Sequence, residues 1–159
     1  MEITSAKAAD FDCLTEIWEA SVRATHFFLS ESDIRDLRSK VREEYLALPG
    51  MELLKAGLNN EAAAFMGIFP SADGPANIAM LFVAPEAQGR GLGRALIGWA
   101  AEKFGALELD VNEQNPGARV FYEKMGFVQT GRSPVDGEGR PFPLLHMFKA
   151  SSRTKGDKK

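Results

Sequence analysis

The sequence predicts an α+β domain in which a central mixed β-sheet is flanked by helices on both sides. Two helical patterns open the chain, a run of strand-like apolar segments follows, and the second half alternates helix with strand. Each element has its own local cause.

Ile3 and its neighbours form a short first strand. Leu14, Ile17, Trp18, Ser21, Val22 and Thr25 then recur at spacings of three and four, one face of a helix, with Asp10 placed to cap its start. Ser30-Glu31-Ser32-Asp33 is a variant of the capping box, in which the first and fourth side chains satisfy each other's backbone N–H groups. Ile34, Leu37, Val41, Tyr45 and Leu48 continue at helical spacing until Pro49-Gly50 stops them. The period then changes. Met51 to Ala56 and Ala62 to Phe69 read as strands joined through residues 57–61. Ser71-Ala72-Asp73-Gly74-Pro75 turns the chain into a third, strongly apolar strand, Asn77 to Val83.

In the second half, Leu92, Leu96, Ile97, Ala100 and Phe104 define an amphipathic helix. Leu107 to Asn112 alternates with period two, so Leu107, Leu109 and Val111 share one face and Glu108, Asp110 and Asn112 the other. Asn115-Pro116 sets a capping side chain before a proline at the first helical position, where a missing N–H costs nothing. Ala118, Phe121, Tyr122 and Met125 continue that helix and Gly126 closes it. Phe127 to Arg132 and Leu144 to Phe148 are the last strands, joined by the glycine- and proline-rich segment Ser133 to Pro143.

The 159 residues fit one domain, expected over residues 1–150, with a polar, mostly basic tail over 151–159 that has nothing to bury. Hydrophobic residues at 45% and charged residues at 26% suit a globular core that needs no covalent staples. Lys+Arg 19 against Asp+Glu 22 gives a net charge of -3, which offers no global attraction for nucleic acid. Cys13 is the only cysteine, so no internal disulfide is possible. Two histidines and scattered acids match no ligand spacing, and no metal is expected. No run approaches the roughly 20 apolar residues of a membrane span. Met1 to Thr4 lacks the basic and apolar segments of a secretory signal, so a cytoplasmic location without membrane partners is expected.

The most informative segment is Gln88-Gly89-Arg90-Gly91-Leu92-Gly93-Arg94, which follows the strand ending at Val83 and opens a helix. Glycines remove side chains where backbone must approach a ligand, and a first helical turn offers N–H groups with no internal partner. That combination is an anion site, with phosphate as its natural occupant. A nucleoside-triphosphate loop would end in Gly-Lys-Ser/Thr, whereas Gly93-Arg94-Ala95 follows here. A dinucleotide fingerprint needs a third glycine three residues after the second, and both registers fail, at Arg94 and at Leu96. Asp110 stands at a distance that would suit a ribose-binding acid, but the antiparallel segments before the loop do not match a βαβ start.

The loop resembles the pyrophosphate-binding motif of the GNAT acetyltransferase superfamily, Q/R-x-x-G-x-G/A, at Gln88, Gly91 and Gly93. Asn112, Asn115, Ala118, Phe121-Tyr122 and Gly126-Phe127 resemble the family's second cofactor segment, and the order of elements matches along roughly residues 2 to 149. Ile17-Trp18, Ser21 to His26, Val111 to Asn115 and Gly131-Arg132-Ser133 are similar to a YjaB-like subgroup of bacterial members. The resemblance implies an N-acetyltransferase that moves the acetyl group of acetyl-CoA to a primary amine, on a small molecule or peptide, by direct attack in a ternary complex. It implies cofactor contacts at Leu81, Phe82, Val83, Gln88, Gly89, Arg90, Gly91, Leu92, Gly93, Arg94, Asn115, Phe121 and Tyr122. It also implies backbone donors for the oxyanion on the strand ending Leu81-Phe82-Val83, a possible homodimer, and Tyr122 as the general acid for the departing CoA thiolate. A phenol, protonated at neutral pH, can fill that last role.

The general base stays open at this level. His26, at the end of the first helix, is a candidate on its ordinary titration range. Glu108 and Asp110 are others, and a water chain would also serve. His146, alternating with Leu145 and Met147, reads as structural. Trp18, Phe27 and Phe28 pack the first helices or line an acceptor pocket. Three rival functions are an acetyl-CoA-binding regulatory module without transfer activity, a dinucleotide oxidoreductase and a purely structural interaction protein, the last of which would leave the alternating glycines unexplained. Tyr122 argues against the first and Arg94 against the second.

Overall fold

The change of period along the sequence becomes a change of element type in the computed structural model, which describes residues 1–152. The elements are β1 (Glu2–Ser5), α1 (Phe11–Thr25), α2 (Glu31–Glu43), β2 (Glu52–Leu58), β3 (Glu61–Phe69), β4 (Ala76–Val83), α3 (Leu92–Phe104), β5 (Leu107–Asn112), α4 (Pro116–Lys124), β6 (Val128–Ser133) and β7 (Leu144–Lys149). The strands form a mixed seven-stranded sheet in the order β1-β2-β3-β4-β5-β7-β6, flanked by the helices. The β4–β5 pairing is parallel, while β1–β2, β2–β3, β5–β7 and β6–β7 are antiparallel.

The described residues fall into two compact units. One comprises Met1–Phe69 with Ala79–Leu96, the other Pro70–Ile78 with the described residues from Ile97 onward. The boundaries cut through β4 and α3, so neither unit is continuous in sequence.

In the first unit, Leu14, Ile17, Trp18 and Val22 of α1 and Ile34 and Val41 of α2 are buried, as are Leu54, Ala56, Phe65, Met66 and Ile68 on β2 and β3. Each large apolar side chain of this kind stabilises the fold by about 1.5–3 kcal/mol on burial. The predicted capping box forms: Asp33 N donates to Ser30 Oγ and Ser30 N to Asp33 Oδ2, both at 3.0 Å. Three expectations need correction. Asp10 does not cap α1 through its side chain; one carboxylate oxygen accepts from the Lys7 backbone N–H at 2.8 Å, closing the 3-10 turn before the helix, and the other pairs with Lys55 Nζ at 2.9 Å. The second helix stops at Glu43 rather than running to Leu48, and Tyr45–Ala47 tightens into a 3-10 turn that still buries Leu46. The hairpin loop is two residues, not five. Asn59 and Asn60 hold φ of 54° and 66°, which asparagine tolerates and a twisted hairpin favours.

In the second unit, the period-two reading of β5 holds residue by residue: Leu107, Leu109 and Val111 are buried, Glu108 and Asp110 exposed, and Asn112 half-buried. β7 buries Leu145 and Met147 on the same principle. The β4–β5 register runs from Ala76–Leu107 to Ile78–Leu109 and ends there, although β4 continues to Val83 and β5 to Asn112.

Candidate active site

Backbone geometry builds the glycine loop. β4 ends at Val83, Ala84 N donates to Ala63 O at 2.8 Å, and Pro85–Ala87 forms one 3-10 turn. Gln88 N donates back to Pro85 O at 3.2 Å, and the Gln88 side chain returns to Val83 O at 3.4 Å, folding the loop onto the strand end. Gly89 and Gly91 then take φ of 79° and 83°, a region that a side chain makes costly. No atom lies within 4 Å of where a Cβ would stand at either glycine, so the space above this backbone is open. The first bond of the α3 ladder runs from Ala95 N to Gly91 O at 2.9 Å. The N–H groups of Leu92, Gly93 and Arg94 therefore precede the ladder and have no partner within it. Leu92 is buried and anchors the turn, while Arg90 and Arg94 are exposed beside it. Open backbone at Gly89 and Gly91, a helix start whose first N–H groups precede the ladder, and two exposed cations are a fit for a pyrophosphate.

Tyr122 stands on α4, in the second unit. Asn115 Oδ1 accepts from Ala118 N at 3.3 Å, and Pro116 occupies the first helical position, so the start of α4 is fixed as the sequence predicts. One and a half turns later, Tyr122 is 9% exposed. Its ring meets Phe121 and Phe127 edge-on, with centroids 5.3 and 5.5 Å away. Burial among these rings pushes the phenol above its ordinary 10.0, because ionisation would place a charge where water cannot reach it. Tyr122 is thus protonated at neutral pH.

His26 lies in the first unit, at the C-terminal end of α1, where its N–H donates to Val22 O at 2.7 Å. Thr25 Oγ1 stands 2.8 Å from Ser21 O and 2.7 Å from His26 Nδ1. With the single hydroxyl proton directed to Ser21 O, Nδ1–H donates to Thr25 and Nε2 keeps the lone pair. Burial lowers the ring's pKa to about 4. The imidazole is neutral at pH 7 and holds an added proton poorly. The Phe28 ring packs 5.3 Å away, and Phe27 is 82% exposed.

One cluster escaped the sequence reading. On β7, His146 has side-chain partners on two neighbouring strands. Its Nδ1 lies 2.5 Å from Asp110 Oδ1 on β5, and its Nε2 lies 2.7 Å from Ser133 Oγ on β6. Three strands contribute one side chain each, and the chain of bonds exists only because the antiparallel register sets Asp110 opposite His146. Sequence spacings of 36 and 13 residues give no sign of it.

Comparison with known proteins adds an independent line. A family model described as an acetyltransferase (GNAT) domain matches residues 50–129. A peptidyl-lysine N-acetyltransferase YjaB of Salmonella typhimurium is 36% identical over 149 residues, spanning 93% of this chain and 97% of that protein. The solution structure of apo YjaB from Escherichia coli has a TM-score of 0.83 at 35% identity, covering 95% of this chain and 98% of that one. The PaiA N-acetyltransferase of Thermoplasma acidophilum, crystallised with coenzyme A, shares the fold with a TM-score of 0.76 at 23% identity, covering 94% and 98%.

Proposed function

The chain belongs to the GNAT acetyltransferase family, whose acetyl donor is acetyl-CoA, and we propose that its acceptor is the side-chain amine of a lysine within a polypeptide. The likeness to a relative named for peptidyl-lysine acetylation, extending over 93% of the chain, is the observation that carries this choice.

Acetyl-CoA supplies an activated acetyl carbonyl and a thiolate leaving group. In this reading the glycine loop holds the pyrophosphate: Leu92, Gly93 and Arg94 present backbone N–H groups, and Arg90 and Arg94 add charge at the rim. Gln88 keeps the loop folded through its bond to Val83 O. Backbone donors of this kind need no reorganisation as charge accumulates. Leu81 to Val83 offer main chain beyond the end of the β4–β5 register, as the family's pantetheine contacts require. Tyr122 serves as the general acid. Its burial keeps the proton in place until sulfur becomes negative, and Asn115, through the cap of α4, fixes the helix that carries it. His26 offers a neutral Nε2 as a hydrogen-bond acceptor for the incoming amine, and a pKa of about 4 makes it a poor store for the amine's proton.

The test uses two peptides with acetyl-CoA: one with a blocked N-terminus and a single lysine, the other lysine-free with a free α-amine. Tandem mass spectrometry should find acetyl on the lysine of the first and little on the second. Acetylation of the α-amine alone would overturn the choice of acceptor. Binding of acetyl-CoA with transfer to neither peptide, nor to a panel of small amines, would favour a regulatory module.

A further inference from the structure

We propose that Asp110, His146 and Ser133 form the proton-accepting relay for the acceptor amine, with Ser133 Oγ as the atom that touches it. This rests on the lysine-acceptor reading above and deepens it.

A lysine side chain arrives protonated at neutral pH and attacks only after losing a proton, so the enzyme needs a route to carry it away. The hydrogen-bond geometry fixes how this chain can serve. A carboxylate only accepts, so His146 Nδ1 carries the proton shared with Asp110 at 2.5 Å. In the neutral ring Nε2 is then the acceptor, and Ser133 Oγ–H donates to it across 2.7 Å. Ser133 Oγ is left with lone pairs for a donor from outside. When an ammonium N–H meets that oxygen, its proton passes to Oγ as the hydroxyl proton passes to Nε2. The N–H bond breaks, a new Oγ–H forms, and His146 becomes an imidazolium whose charge Asp110 balances. His146 is 37% and Asp110 48% exposed at the side chain, so solvent can collect the proton afterwards.

The arrangement is built rather than incidental. Gly131 of β6 is paired with His146, and a Cβ there would lie 3.2 Å from His146 Cδ2. The imidazole therefore rests close against a position where any Cβ would press it by a few tenths of an ångström. The irregularity in β6 between Gln129 and Gly131 falls beside it. Thr130 Oγ1 donates to His146 O at 3.3 Å and fixes the main chain on the same strand. The other charged groups on the packed strands are accounted for. Glu108 lies two residues from Asp110 on β5, opposite Phe148. Arg132 of β6 is held bidentately by Glu113 at 2.6 and 3.0 Å, and Lys149 of β7 extends over Gly126. None of these competes for the ring nitrogens. Asp110 also directly follows Leu109, the last residue of β5 paired with β4, and the relay and Tyr122 belong to the same unit.

The experiment is a single-turnover acetyl-transfer rate, measured across pH with acetyl-CoA saturating and a lysine peptide as acceptor. His146→Gln should lose about 10²-fold at pH 7 and recover as pH rises and the free amine becomes abundant. Asp110→Asn and Ser133→Ala should fall in the same direction, and Gly131→Ala, which displaces the ring, should fall less. Acetyl-CoA affinity and circular dichroism should stay at wild-type values in all four. A structural histidine would instead lower the melting temperature and leave the shape of the pH profile intact, which overturns the relay. So would an acetyl group trapped on Ser133, since that makes the serine a nucleophile. One further readout needs no acceptor: proton NMR of the folded chain should show a far-downfield His146 Nδ1–H resonance that Asp110→Asn abolishes. Its absence from the wild-type chain overturns the relay whatever the substrate. Its presence in a chain that acetylates no lysine peptide overturns the acceptor reading and, with it, the relay's part in catalysis.

Discussion

The glycine loop and the polar face of β5, β7 and β6 are built on opposite plans. The loop makes its site from consecutive residues and from main chain: Gln88 to Arg94, two positive φ angles and the N–H groups that precede the α3 ladder. The polar face makes its cluster from single side chains on three strands, joined only by register. A site of the first kind tolerates changes in most side chains and fails when a Cβ enters it. A site of the second kind fails one functional group at a time. On the proposed reading, the loop holds the donor and side chains of the second unit carry the proton traffic.

The largest effect should come from the proton side. Tyr122→Phe removes one oxygen from a buried ring, and transfer should fall about 10²-fold in single-turnover kinetics while acetyl-CoA affinity stays unchanged. A lowered melting temperature with normal turnover would make Tyr122 a packing residue only. On the binding side, Gly91→Trp should weaken acetyl-CoA binding by about tenfold or more, equivalent to at least ~1.4 kcal/mol. A Cβ there meets no protein atom within 4 Å but is strained at φ of 83°, so circular dichroism and melting temperature should show an unaltered fold before the loss is assigned to the ligand's space. Arg94→Ala should cost only about two- to fivefold, because an exposed charge contributes roughly 0.4–1 kcal/mol and the backbone donors remain. That small loss should shrink further at high salt.

The two histidines sharpen the same contrast through stability. Burial holds His26 near 4 against an ordinary 6.5, so between those values the unfolded chain binds a proton that the folded chain refuses. Stability present above about pH 6.5 is progressively lost as pH falls toward 4. Urea unfolding at a series of pH values should show this slope, and His26→Gln should flatten it. An unchanged slope would show that His26 gains water or a partner in solution.

What the sequence made legible follows the same division. β5, the Ser30 capping box, the Asn115-Pro116 helix start and the glycine loop are local patterns, each written in fewer than ten consecutive residues, and all form where expected. Asp10 misled because its partner, Lys55, is 45 residues away. The Asn59-Asn60 turn was readable in principle, since paired asparagines suit two positive φ angles, but the apolar runs on either side suggested shorter strands. The partners of His146 are hidden from the sequence for a deeper reason. Alternation with Leu145 and Met147 gives the face it occupies, yet its neighbours on that face depend on strand order and on the irregularity beside Gly131, which no single segment encodes.

The division of labour is tested most directly by calorimetric titration of acetyl-CoA into Tyr122→Phe and Gly91→Trp side by side with the wild-type chain. The account predicts a wild-type Kd for Tyr122→Phe and a Kd raised about tenfold or more for Gly91→Trp. Equal Kd values for Gly91→Trp and wild type, or a loss of affinity confined to Tyr122→Phe, would contradict it.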